Sequence, residues 1–124
     1  MTEKNADKKI ISDIIEGGHP GHAFIFTGRD ADSQKELVLR ITCAVFCHNE
    51  ERPCHNCGSC ESIRINTHPD VIWLLPEGQY LKIQQIREMQ HRAGFKAAGD
   101  RRIIVLEKAD HMTPEAANSI LKIL

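Results

Sequence analysis

The sequence predicts an α/β protein in which a parallel sheet is flanked by helices and a small metal-binding insertion interrupts the order. Short apolar runs at residues 22–27, 71–75 and 103–106 each precede a stretch with helical apolar spacing. Strands that alternate with helices in this way form parallel sheets, because the helix returns the chain to the same sheet edge. Four of the five cysteines fall between residues 47 and 60, after the first of these helices, and they mark the insertion.

Each element is argued from its residues. Ile10, Ile11, Ile14 and Ile15 give residues 7–17 an amphipathic helical pattern, stopped by Gly17 and Gly18. His22 to Thr27 reads as a strand that ends at Gly28. Asp32 or Ser33 is expected to cap the next helix, on which Leu37, Ile41, Ala44 and Val45 share a face. The cysteine-rich stretch is too turn-like to be helix or strand throughout. Val71 to Leu75 is a second strand closed by Pro76. Ile83, Ile86, Met89, Gln90 and Ala93 predict a helix over 82–94. Ile103 to Leu106 is apolar on both faces, as suits a central parallel strand. Thr113 and then Pro114 start a last helix lined by Ala116, Ala117, Ile120, Leu121 and Leu124. Leu124 falls inside that apolar pattern with no stop signal, so a chain cut within or just after a helix is expected.

The 124 residues carry 16 basic and 17 acidic side chains, a formal net charge of −1. No global basic surplus points to nucleic acid. The longest apolar runs are far too short to span a bilayer, and MTEKNADKK lacks the apolar core of a signal peptide. A cytoplasmic chain is therefore expected, and there cysteines rarely form structural disulfides.

The spacing Cys47-x6-Cys54-x2-Cys57-x2-Cys60 suits one tetrahedral ion held by four thiolates. Structural zinc is the expectation, ahead of an iron–sulfur centre, disulfides or idle thiols. His48 and His55 lie within the cluster, but four cysteines already complete the sphere, so both histidines read as solvated loop residues. A closed sphere leaves no position for water, which makes the metal structural rather than catalytic. Cys43, on the preceding helix, reads as a small buried apolar residue.

Gly28 and the residues after it are placed as a phosphate-binding loop would be, between a strand and a helix. Setting Gly28 at the first position of G-x-x-x-x-G-K-[ST] puts Ser33 on the second glycine, Gln34 on the lysine and Lys35 on the hydroxyl residue. Ser33 adds a side chain where backbone must approach phosphate. Gln34 brings no positive charge, and Lys35 lies one residue late, about 100° around a helix. Asp30 and Asp32 add negative charge. The end of the 103–106 strand carries a second lesion. Glu107 stands at the magnesium-binding acid, longer than the usual aspartate, and Lys108 stands where a base would polarise water. Asp110 reads as a turn residue.

His22-Ala23-Phe24-Ile25-Phe26-Thr27-Gly28, the four-cysteine insert, His68-Pro69-Asp70 and Ala116-Ala117-Asn118-Ser119-Ile120-Leu121-Lys122 occur in this order. Together they resemble the clamp-loader subunits of bacterial DNA polymerase III, from about His19 to the end of the chain. The resemblance implies that residues 1–124 are the N-terminal part of an AAA+-like, P-loop NTPase domain with a zinc-binding insertion at about 47–62. In that family the gamma/tau subunits hydrolyse ATP, whereas the delta-prime branch commonly has a degenerate loop. Gln34, Lys35 and Lys108 align this chain with the second group. The resemblance further implies gamma/tau and delta subunits as partners, and a role in placing the sliding clamp on primed DNA through the complex. The family's arginine finger lies in a Ser-Arg-Cys motif that does not occur here, and the lid and collar are also expected beyond this stretch. Two other readings stay open: an active gamma/tau-like ATPase, and a zinc module that contacts nucleic acid through Arg52, Arg64, Arg101 and Arg102. Trp73, in a strand pattern, and Tyr80, in a turn, suit core and surface roles better than base stacking.

Overall fold

In the computed structural model, residues 9–13, 26, 30–93 and 101–122 are described. The expected strand at 22–27, apart from Phe26, lies outside these residues, as do Gly17, Gly18, Gly28 and Leu124. The chain divides into two units, residues 1–67 and 68–124, each with its own apolar cluster.

In the first unit the long helix α1 (Ala31–Phe46) is capped by Asp30, not by Asp32 or Ser33. Asp30 is extended (φ −64°, ψ 162°), and its carboxylate accepts the Ser33 N–H at 2.9 Å and the Ser33 hydroxyl at 3.0 Å. An aspartate three residues before a serine can satisfy both groups at once, so the helix gains part of a turn over the sequence-based start. Leu37, Ile41 and Ala44 lie along one stripe of α1. They pack with Ile11 of the helical segment 9–13, and with half-buried Ile10, Phe26 and Val45. A second side of α1 buries Cys43 and Cys47. It faces a short helix, α2 (Gly58–Arg64), which occupies the end of the cysteine-rich stretch. The C-terminus of α2 closes with Asn66 at positive φ (59°). The Thr67 N–H there reaches the Ser62 carbonyl at 2.8 Å and the Asn66 N–H reaches that of Ile63 at 3.1 Å. This is the paired bonding of a Schellman stop, with asparagine tolerating the left-handed position.

The second unit is a strand–helix–strand–helix arrangement. Strands β1 (Val71–Leu74) and β2 (Ile103–Leu106) pair in parallel, with Val71 opposite Ile103 and Leu74 opposite Leu106. The connecting helix α3 (Ile83–Ala93) and the last helix α4 (Pro114–Leu121) pack on each other. Ile72, Ile86, Met89 and Ala116 form the buried centre, joined by Leu74, Ile104, Met112 and Ile120. Thr113 caps α4 as the sequence predicts, its hydroxyl accepting the Ala116 N–H at 3.2 Å, and Pro114 takes the first turn. Among the described residues the sheet has two strands, and every residue of β2 is half-buried. No helix among the described residues is long and apolar enough to cross a membrane.

One buried amide joins strand to helix. Gln85, 8% exposed, donates to the Leu75 carbonyl at 2.7 Å and accepts the Lys82 N–H at 3.1 Å. It thereby satisfies a carbonyl just past β1 and an orphan donor just before α3. Gln85→Ala leaves both without that partner, and a loss of about 1–3 kcal/mol is expected. Gln84→Ala, on the exposed side of the same turn, serves as the control and should be near neutral. Denaturant unfolding of the two variants side by side checks this; equal midpoints would refute the role given to Gln85.

Candidate metal centre

Cys47 is the C-cap of α1, and Cys60 lies in the first turn of α2. The turn between them carries Cys54 and Cys57, and Cys57 is also the N-cap of α2. All four Sγ atoms lie within 4.8 Å of one another. Cys54 Sγ and Cys60 Sγ are 3.9 Å apart, close to the edge of about 3.8 Å that four sulfurs at zinc–thiolate distance describe. Cys47 and Cys60 are buried, while Cys54 and Cys57 are half-buried. The two Cys-x2-Cys turns also aim backbone donors at sulfur. The N–H groups of Asn56 and Cys57 reach Cys54 Sγ at 3.4 and 3.2 Å, and the Cys60 N–H reaches Cys57 Sγ at 3.4 Å. Such donors favour thiolate over thiol.

Two of the four sites have their charge set in opposite directions. The Asn56 N–H, joined by that of Cys57, draws the Cys54 thiol down to about 6. Burial pushes Cys60 up, so on its own it stays protonated at neutral pH. A divalent cation at the centre removes this conflict, because coordination deprotonates a thiol outright. The four sulfurs, their spacing and the N–H donors fit a tetrahedral metal ion. Cys43 stands apart, as the sequence predicts: it is 1% exposed, its thiol contacts the Cys60 carbonyl at 3.8 Å, and burial raises its pKa. His48 and His55 are exposed, and neither belongs to the four-sulfur cluster.

The residues of the other expected site lie in separate units. Ser33, Gln34 and Lys35 are helical residues of the first two turns of α1. Asp30, which sequence reasoning passes over as a cap, carries a signal in the Asp-x-x-Ser spacing itself. Its carboxyl is held below the usual range by the Ser33 N–H and hydroxyl. In the second unit Glu107 comes directly after β2, and its carboxylate accepts the Trp73 indole N–H at 2.6 Å. That pairing has no local sequence signal, because 34 residues separate the partners. Lys108 takes a left-handed conformation (φ 55°) and starts the 3-10 turn Ala109–His111, which contains Asp110.

The family model described as "DNA polymerase III, delta subunit" matches residues 3–124. The chain belongs to this DNA polymerase III family. It is similar to the DNA polymerase III subunit delta' of Bacillus subtilis, 31% identical over 120 residues, which is 94% of this chain and 36% of that protein. The delta' subunit of Pseudomonas aeruginosa is 29% identical over 114 residues (83% of this chain, 33% of that protein). That of Buchnera aphidicola is 34% identical over 122 residues (94% and 37%). The chain thus spans about a third of the length of the curated relatives it matches. In this member of the polymerase III family, the Ala116–Lys122 stretch lies on α4 and its C-cap, with Ala116 fully buried and the Ser119 hydroxyl accepting from the Gln90 amide at 2.9 Å.

The sulfur chemistry sets a pH dependence. Cys54 has a depressed pKa, so its contribution to stability and binding is complete above the ordinary thiol value and is lost as pH falls through about 6. A coordinated metal competes with protons at all four sulfurs. Metal held here is therefore expected to leave with proton uptake on acidification, with a midpoint at or below about 6. A chromophoric chelator in a pH titration reads the release; a midpoint above neutral pH would contradict the assignment of Cys54.

Proposed function

We propose that the chain is part of a delta-prime-type clamp-loader subunit of DNA polymerase III that does not hydrolyse ATP. On this reading it is the N-terminal part of an AAA+-like P-loop NTPase domain. Its partners are the gamma/tau and delta subunits, and through their complex the sliding clamp and primed DNA. Its setting is the cytoplasm, where DNA replication takes place. The metal of the four-cysteine knob is zinc, bound by Cys47, Cys54, Cys57 and Cys60. Zinc would supply charge neutralisation and a covalent-like tie between α1 and α2, with no open position for chemistry.

The observation that carries the absence of hydrolysis is the cap of α1. The N-terminus of a helix after a phosphate loop offers its first N–H groups to phosphate. Here the Ser33 N–H goes to the Asp30 carboxylate at 2.9 Å, and Ala31 and Asp32, which the loop would need as open backbone, are wound into the helix. Gln34 and Lys35 then stand where lysine and the magnesium hydroxyl are required. Glu107 and Lys108 support the same reading from the second unit. The indole of Trp73 engages the Glu107 carboxylate, and a cation comes next where a general base would be needed. An active gamma/tau-like ATPase would need all of these groups to be rearranged.

Two measurements test the proposal. Protein purified without added metal should carry one zinc per chain by elemental analysis. Cys57→Ser should lose it, with faster hydrogen exchange over residues 47–62 before the β1–β2 unit changes. Freely titratable thiols and no zinc would reject the metal. Calorimetry with ATP and magnesium should give no binding tighter than the millimolar range, with no turnover, and Gln34→Lys alone should not restore it. A dissociation constant in the low micromolar range would replace this reading with the ATPase.

A further inference from the structure

The two Cys-x2-Cys turns bring N–H groups to sulfur by different backbones. In the second, extended Cys57 (φ −79°, ψ 165°) caps α2, and the Cys60 N–H reaches its sulfur at 3.4 Å as the helix begins. Gly58 is helical there, and a Cβ on it would meet nothing within 4 Å, so the turn does not require glycine. The first turn is not helical. Its chain turns at His55, which is left-handed (φ 64°). The next two N–H groups, of Asn56 and Cys57, reach Cys54 Sγ at 3.4 and 3.2 Å. A histidine thus holds the conformation that favours glycine, while the glycine of the second turn stands where other residues would fit. The His55 side chain is exposed and lies outside the four-sulfur cluster.

We propose that His55 is a positioning residue of the metal centre, its left-handed backbone aiming the Asn56 and Cys57 N–H groups at the Cys54 sulfur. The inference rests on the four-cysteine reading above and adds a residue to it that is not a ligand. Four thiolates around a divalent ion leave the centre net negative, and N–H donors to sulfur offset that charge and fix the direction of each ligand. Both backbone donors to Cys54 follow directly on residue 55, so both depend on the direction in which that residue sends the chain. A non-glycine residue at positive φ persists where the surrounding structure fixes it, and such outliers gather at functional sites. The backbone conformation, not the imidazole, is the working part. Substitutions should therefore rank by tolerance of positive φ rather than by likeness to histidine. Glycine is freest there, asparagine adopts it readily, and β-branched valine is the worst placed. A segment with so little core of its own folds with its metal, so the conformational cost at residue 55 appears in the metal affinity.

The test titrates the whole chain with cobalt(II), competes the cobalt with zinc, and repeats the loading with a spin-half cadmium isotope for resonance spectroscopy. His55→Gly and His55→Asn should bind cobalt as tightly as the parent chain or up to about threefold more tightly. His55→Val should bind about tenfold more weakly. Gly58→Ala, a change of similar size in the second turn, should bind no more weakly than the parent. In the cadmium form, the Asn56 and Cys57 amide protons should couple to the metal through the Cys54 sulfur in the parent and in His55→Gly. His55→Val should lose that coupling, a signal that a role in folding alone would not move. Metal bound as tightly by His55→Val as by the parent overturns the positioning role and leaves the zinc reading in place. Weaker binding by the glycine and asparagine variants overturns it in favour of the imidazole. A parent chain that takes up neither cobalt nor cadmium rejects the four-cysteine reading, and this proposal with it.

Discussion

The first unit depends on where negative charge can be held at the two ends of α1. The C-terminal end of a helix presents unsatisfied carbonyls and disfavours a further anion. Cys47 is placed there, buried, and Cys60 is packed against the same end with its sulfur 3.9 Å from the Cys43 carbonyl. Burial there disfavours the thiolate of Cys60 without a cation. Cys54 and Cys57 differ, because the turns surround them with N–H donors. The knob thus combines Cys54, whose pKa the N–H donors lower, with Cys60, whose pKa burial raises. A segment of this size has little core of its own, so an ion would do for it what burial of Ile72, Ile86 and Met89 does for the second unit.

At the other end of α1 the charge balance is favourable without help. Asp30 places a carboxylate at the positive end of the helix and takes up a donor that would otherwise face solvent or a ligand. The same helix therefore ends in a site that asks for a cation and begins with a site that has already supplied its own anion. This polarity separates the two ends: the sulfur cluster fits a cation, and the first turn of α1 already has its own carboxylate.

Much of this is legible in the sequence, and the misses have physical causes. The four cysteines converge as their spacing predicts, because short Cys-x2-Cys turns leave little freedom in where sulfur can go. The β1, α3, β2 and α4 segments fall close to their sequence bounds, since their apolar periodicity and the Thr113–Pro114 cap are local signals. Sequence alone places the cap of α1 two or three residues late, because three candidate caps stand close together and only the carboxylate-to-serine geometry selects Asp30. The helix of residues 58–64 is hidden among turn-formers, and Cys57 capping it through sulfur is not a pattern that composition reveals. Gln85 and the Trp73–Glu107 pair depend on contacts across 10 and 34 residues, which no short window along the chain contains.

On the reading proposed above, two of the groups that a nucleotide would engage in an ATPase, the Ser33 N–H and the Glu107 carboxylate, are met here by the protein itself. A phosphate-binding site must keep donors and charges open, and an open polar group at a partly buried position is costly until its ligand arrives. Where no ligand binds, stability favours internal partners for each such group. Ser33 finds Asp30, Glu107 finds Trp73, and Lys108 becomes the first residue of a turn whose His111 N–H reaches its carbonyl at 2.8 Å. Each of these pairings lies within a single unit. On the non-hydrolysing reading proposed above, the return of one lysine would not be enough for nucleotide to bind, because the Ser33 N–H and the Glu107 carboxylate are already engaged by Asp30 and Trp73.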